Sequence, residues 1–236
     1  MIQHLSIATL FLKIKYYFLQ KKYKKNSHPK VFDFQWSKKG FNRISVVNHL
    51  ISISGGLEAK YLEVGCQGNK LFDSVASLHK VGVDPETGGT HKMTSDKFFE
   101  NNDKIFDVVF IDGLHTYEQV HRDAVNALNC IGVGGYIAFH DFLPKSWKEH
   151  HVPRINHSWT GDCWKLAIQL AEAKGLEFVI IDVDCGVGLL KKLSHDYNVP
   201  NVSDKLEVAE FEKFVSIFDK LPILSYESGI RKMVKA

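Results

Sequence analysis

The chain has 236 residues, of which 44% are hydrophobic and 24% charged, with 17 glycines and 6 prolines. That composition excludes collagen-like, low-complexity and disulfide-scaffold classes, and no uncharged apolar run reaches the roughly 18 residues of a polytopic membrane protein. The net charge of +3 is unevenly spread: residues 1–30 hold seven lysines and no acid, which leaves −4 on the rest.

The basic segment comes first. Residues 1–39 read as an N-terminal extension. The apolar stretch Leu5 to Leu19 is interrupted by Lys13 and Lys15, has no positive region ahead of it and no small-residue cleavage site behind it. It is therefore a poor signal peptide and too short to span a bilayer. Two readings compete: an amphipathic arm in peripheral contact with anionic lipid through residues 1–30, and a helical extension packed on its own domain or on a second subunit of a homo-oligomer.

Residues 40–192 alternate strands and helices. Apolar residues from Phe41 to Ile53 recur at helical spacing, and Gly55-Gly56 closes that helix. Tyr61–Gly65 reads as a buried strand, Leu71–Leu78 as a helix, and Lys80–Asp84 as a second strand. A weak third strand ends around Met93–Ser95. Asp107–Asp112 is the clearest strand, Tyr117–Ile131 a helix, and Gly135–Phe139 a fifth strand. Asp162–Lys174 is helical. Phe178–Val183 and Val187–Leu190 flank the turn signal Asp184-Cys185-Gly186, so they pair as an antiparallel hairpin. A C-terminal helical extension, 193–236, carries a helix from Leu206 to Leu221 after a Pro/Asn/Ser/Asp loop. The expected fold is α/β: a Rossmann-like doubly wound sheet of about seven strands ending in an antiparallel hairpin, with helices on both faces. The insert from Phe142 to Gly161 has no clear period and holds Trp147, Trp159, His150, His151 and His157. It reads as a lid, with its histidines on the surface. Cys66, Cys130, Cys163 and Cys185 form no CxxC and read as free thiols of a reducing, cytoplasmic compartment.

In open α/β sheets, ligands bind beyond the carboxyl ends of the strands. The residues at those ends are Glu63, Gly65 and Gly68, then Asp84, then Ser95 and Asp96, then Asp112, then His140 and Asp141. Clustered carboxylates are costly unless a cation or a hydroxyl-rich ligand satisfies them. The turn through Gly65 and Gly68 lets backbone approach a ligand closely. Asp84 ends the next strand, where an acid suits a ribose diol. His115 follows Asp112 by three residues and titrates near neutrality. Structural roles stand beside each assignment. Asp112 suits a helix N-terminus, His115 a turn, and Asp141 an Asx turn. Tyr117 and Asp123 read as helix packing, and Asp162 as an N-cap.

The runs YLEVGCQGNKLF, VGVDPE, MTSDKFF, DVVFIDGLHTYEQVHRD and GGYIAFHDFLP resemble the successive motifs of class I S-adenosylmethionine-dependent methyltransferases. They are most similar to the branch with a D-G-x-H-x-Y motif, which includes macrolide-sugar O-methyltransferases. The resemblance covers residues 40–192. It implies that Glu63, Gly65 and Gly68 line the methionine and ribose end of the cofactor. It further implies that Asp84 binds the ribose, Ser95 and Asp96 meet adenine, and Asp112 lies beside the sulfonium. His115 would act as base. A metal would be held by Asp112, His140 and Asp141. His140 stands where that branch has an acid, and two carboxylates with one imidazole are softer than magnesium prefers. Manganese, magnesium and no metal all stay open.

The leading expectation is in-line O-methylation of a small-molecule or sugar hydroxyl. A Rossmann dehydrogenase is disfavoured by the missing GxGxxG. A nucleic-acid methyltransferase using the basic arm is disfavoured by the acidic body and the missing base-methylation motifs. A catalytically silent binding domain is the non-enzymatic alternative.

Overall fold

The computed structural model describes residues 7–200 and 206–236. The first six residues of the basic extension, and 201–205 of the loop read after Pro200, lie outside them. The strands are β1 (Lys60–Val64), β2 (His79–Val83), β3 (Phe106–Ile111), β4 (Ile131–Phe139), β5 (Leu176–Ile181), β6 (Val187–Lys192) and β7 (Ile223–Leu224). They form one mixed sheet in the order β2-β1-β3-β4-β6-β5-β7. The pairings among β1 to β4 are parallel. β6 runs antiparallel to both β4 and β5.

Alternating side chains build a core on each face, as the period of two in a strand requires. Leu62, Val64, Val109, Ile111, Ile137 and Phe139 face one layer, with α4 (Ser95–Glu100), α5 (Tyr117–Asn129), α7 (Trp164–Ala171) and α8 (Phe211–Ile217). Tyr61, Val108, Phe110, Tyr136 and Ala138 face the other, with α2 (Arg43–Ile53), α3 (Lys70–Ser74) and α9 (Tyr226–Lys235). The result is the expected Rossmann-like doubly wound sheet with helices on both faces.

Register is what builds the site. Val83, Val64, Ile111 and Phe139 are cross-strand partners in adjacent strands. The residues that follow them, Asp84, Gly65, Asp112 and His140, therefore leave the sheet side by side. Gly65 has φ +86°, and a Cβ there would overlap the carbonyl oxygen of Asp112. Close approach of two strand ends, more than approach of a ligand, fixes that glycine.

Several elements differ from the sequence reading. The weak third strand is absent: a single parallel bridge joins Val83 to His91. Thr94 then caps α4, its hydroxyl accepting from the Lys97 amide at 3.3 Å. Too few residues remain between loop and cap for a ladder. α3 stops at Ser74, not Leu78. The Asn48 side chain accepts from Ala76 N at 2.8 Å and donates to Ser74 O at 2.9 Å, while Lys80 Nζ takes the Phe72 carbonyl at 2.7 Å. The hairpin forms, but it does not end the sheet, because β7 pairs parallel with β5 outside it. The helix read from Leu206 to Leu221 is interrupted: Glu210 is extended, and α8 begins at Phe211. A further helix, α9, follows β7, capped by Ser225.

The flanking segments share the core. Phe32, Phe34 and Trp36 stack on one another and meet Phe211, Phe214 and Phe218 with centroids 4.3–6.2 Å apart. The insert 142–161 is also packed: Phe142, Leu143, Ile155, His150 and His151 are buried, and a short helix, α6, spans Trp147–His150. Only His157 among its three histidines is exposed. His150 instead accepts from the Trp164 indole N–H at 2.9 Å. Burial holds the pKa of His150 below the ordinary histidine value, with the nearby Glu210 opposing. All four cysteines are free thiols, and three are buried.

Candidate active site

A cleft of about 640 Å³ lies across the strand ends. Asp84, Gly65, Asp112, His115, His140, Asp141, Ser95 and Asp96 all border it. Of the strand-end residues read from the sequence, Glu63 and Gly68 fall outside. They line a neighbouring recess of about 190 Å³. Glu63 is 1% exposed, and its carboxylate accepts from the Tyr61 hydroxyl at 2.6 Å. Burial raises its pKa to about 7. It lies beneath the cleft and not on its wall, because the alternation of β1 turns it to the face of Tyr61.

Asp84 organises the loop after β2. One carboxylate oxygen accepts from the Gln67 amide at 2.8 Å, and the other from the Glu86 and Thr87 amides, each at 2.8 Å. Burial works against ionisation, but these donors outweigh it and hold the pKa below the usual value. A carboxylate offers about four acceptor sites, so capacity remains for a diol. Ser95 and Asp96 are tied to Gln119, at 3.1 and 3.2 Å.

At the other end, charges interlock. His115 Nε2 lies 3.3 Å from Asp112, and its Nδ1 lies 2.9 Å from Asp141. His140 Nδ1 lies 3.4 Å from Asp112 and 3.1 Å from Asp141. Arg43 reaches in from the first turn of α2, with Nη1 3.2 Å from Asp112 and 2.8 Å from His140 Nε2. Asp184, in the hairpin turn, pairs with Arg43 Nε at 3.5 Å and His140 at 3.6 Å. Burial opposes every one of these charges, yet the partners prevail. Asp112 and Asp141 are held below the carboxylate range by the two imidazoles. Asp184 is lowered to about 2, against burial, chiefly by His140. His115 is raised to about 10 by its bonds to Asp112 and Asp141, again against burial. Three carboxylates thus face one guanidinium and two imidazoles, with Arg43 Nη1 close to both ring nitrogens of His140, at 3.0 and 2.8 Å.

The structural roles raised for Asp112 and Asp141 do not hold. Asp141 gives both oxygens to histidines, not to its own turn. The N-terminus of α5 is met by Asp162, which accepts from the Tyr117 amide at 2.6 Å and pairs with Lys165 at 2.8 Å. Asp162 therefore caps a helix distant in sequence and caps no amide of α7, which it meets through Lys165.

Sequence reading missed Arg43, Asp184 and Trp159. The Trp159 ring stacks on His115 at 5.2 Å, and its carbonyl faces His115 Nδ1 at 3.1 Å. Next to it, Gly161 has φ +60°, and a Cβ would overlap the His115 carbonyl oxygen. The insert is thus a fixed wall of the site. Arg43 had one indirect signal: Asn42, whose side chain caps α2 and so aims its first residue.

Residues 61–142 match a family model described as a methyltransferase domain. No curated protein matches the chain. Among solved structures, one from Klebsiella pneumoniae described as a "putative O-methyltransferase" aligns with TM-score 0.50 and 11% identity, over 78% of this chain and 90% of that one. An O-methyltransferase from Bacillus cereus in complex with SAH aligns with TM-score 0.47 and 13% identity, over 81% and 94%. The SAH-bound methyltransferase PaMTH1 of Podospora anserina gives 0.48 and 14%, over 82% and 99%. At these identities the likeness concerns fold. Residues 61–142 thus resemble a methyltransferase domain, set in the seven-stranded Rossmann-like sheet described above.

Proposed function

We propose that the chain methylates a hydroxyl of a small molecule or sugar, with S-adenosylmethionine as donor, and that it falls in the D-G-x-H-x-Y branch. The observation that carries this is the row Asp84, Gly65, Asp112, His140 bordering one cleft. The row fits the cofactor: Asp84 keeps acceptor capacity for a ribose diol, Ser95 and Asp96 supply polar edges, and Asp112 offers counter-charge to a sulfonium. When bound, S-adenosylmethionine supplies an electrophilic methyl, transferred in line to the acceptor oxygen.

The chain's own groups do the rest. Arg43 and the two histidines keep Asp112 and Asp141 ionised. His115, with both ring nitrogens facing carboxylates, holds a proton at rest and is not a ready base. Positive charge brought to Asp112 would lower the proton affinity of His115 Nε2; once that nitrogen had released its proton to solvent, its lone pair could accept the proton of the acceptor hydroxyl. Trp159 and Gly161 fix the ring and exclude water from one side.

One observation favours a second reading, with a divalent cation. Single donor atoms of Asp112, His115 and Asp141 lie within 4.8 Å of one another. With an imidazole in the set, manganese suits it better than magnesium. His140 borders the same carboxylates and, with Arg43, would have to yield to the ion. Isothermal titration of S-adenosylhomocysteine with and without manganese separates the readings. Binding should fall about a hundredfold in Asp84→Ala, since lost charge-assisted bonds cost roughly 1.5–3 kcal/mol. Heat that depends on manganese and disappears in Asp141→Ala would support the metal. Absence of any binding would favour the silent domain.

A further inference from the structure

The basic arm is outside everything used so far. Its helix, α1, spans Ile7–Lys22. Side chains advance about 100° per residue around a helix, so its faces can be read from sequence and burial together. Tyr16, Leu19 and Gln20 are partly buried, and Leu19 and the following Tyr23 pack against the main core. Gln20 Nε2 donates to the Ile155 carbonyl at 2.9 Å, and the Tyr23 ring lies 4.5 Å from that of His151. These contacts seat one face of the helix on the insert.

The opposite face is apolar and uncovered. Leu10, Ile14 and Phe18 follow one another at a spacing of four, flanked by Phe11 and Tyr17. All five are exposed, Phe11 at 69% and Phe18 at 64%. Leu12, exposed at 43%, lies off this stripe. Lysines border the stripe: Lys13 on one margin, Lys15 and Lys22 on the other, with Lys21, Lys24 and Lys25 at its C-terminal end. No acid occurs in residues 1–30. Nor is any helix among the described residues long and apolar enough to cross a membrane.

We propose that α1 docks in the plane of an anionic lipid bilayer, with Leu10, Phe11, Ile14, Tyr17 and Phe18 among the acyl chains and the bordering lysines at the headgroups. The occupant follows from the combination. An apolar stripe alone would suit a second copy or a protein groove, but margins that are entirely basic are complementary to an anionic surface. Lysines at the edges of such a stripe also keep their stems in the apolar layer while the ammonium reaches water. The stripe points away from the face that contacts the insert, so docking needs no rearrangement of the body.

The test uses the full chain and phosphatidylcholine vesicles with or without phosphatidylserine, scored by co-sedimentation. The expected result is pelleting with the anionic vesicles, reduced on the order of a hundredfold in partition coefficient by Phe11→Ser with Phe18→Ser, since each lost aromatic anchor costs about tenfold or more. Lys13→Glu with Lys15→Glu should reduce it by at least about tenfold. Both pairs are solvent-exposed, so circular dichroism should be unchanged. Equal pelleting of the serine double variant would overturn the proposal in favour of a simple polyanion contact. No pelleting of the unaltered chain would also overturn it. If sedimentation velocity then showed a dimer that the serine variant dissociates, the stripe would belong to a second copy.

Discussion

The strand-end row and the aromatic seam of the same molecule are held together differently. At the row, the buried Asp141 and the partly buried Asp112 and Asp184 pair with Arg43, His115 and His140, and stability is close to a balance between desolvation and pairing. At the seam, Phe32 and Phe34 pack on Phe211, Phe214 and Phe218, and apolar burial and ring contacts dominate, with Lys30, Lys145 and Asp182 only at the margin. The first region adds little net stability and holds charge ready. The second supplies stability and joins the two ends of the chain.

If that division is right, it can be tested by perturbing one region at a time. The largest effect should come from Phe214→Ala. Phe214 is wholly buried, so chemical denaturation should show a loss of about 3–5 kcal/mol, with S-adenosylhomocysteine affinity unchanged in the folded fraction. A matching loss of affinity would mean that seam and site are one cooperative unit. Next comes Glu63→Gln beneath the row. Because the folded pKa of Glu63 is raised to about 7, the native state binds its proton more tightly than the unfolded chain. Its ionisation therefore costs stability progressively as pH rises from the unfolded carboxyl value to about 7. Removing the charge should raise stability at pH 8 by on the order of 3 kcal/mol and leave pH 4 unchanged. Equal stability at both pH values would show Glu63 to be solvated. The smallest effect is expected from Glu210→Gln at the margin of the seam. Glu210 accepts from Asn26 at 2.7 Å and lies 3.6 Å from His150. Its pKa is lowered, first by His150, so its contribution is present at neutral pH and lost as pH falls through that lowered value. The half-exposed carboxylate is worth about 0.5–1 kcal/mol, readable as a small shift in urea midpoint at pH 7 that vanishes in acid.

The same two regions mark how far the sequence was legible. The strands of the row carry their polar residues one or two positions past their own ends, so Asp84, Asp112, His140 and Asp141 could be placed from local patterns. Arg43 and Asp184 could not, because they meet although 141 positions apart, and neither belongs to the runs that carry the family resemblance. β7 is only two residues long and forms because Ile223 and Leu224 find β5, with no period of its own to announce it. The third strand failed in the opposite way: Met93 looked like a strand end, but Thr94 began a helix first. The insert was read as a lid because it lacks periodicity. Its order comes from side chains such as His150 and Trp164, which lie in separate elements.

Gly161 also bears on how this protein could be re-engineered. The insert and the turn carrying His115 meet there backbone to backbone, with no room for even a methyl group. A chimera that exchanges residues 142–160 to alter acceptor choice must therefore retain this glycine and the Glu149 carbonyl that takes the amides of Thr160 and Gly161, each at 3.1 Å. Without them, a grafted segment would displace His115 itself. The conformation of the insert and the alignment of His115 are in this sense inherited together.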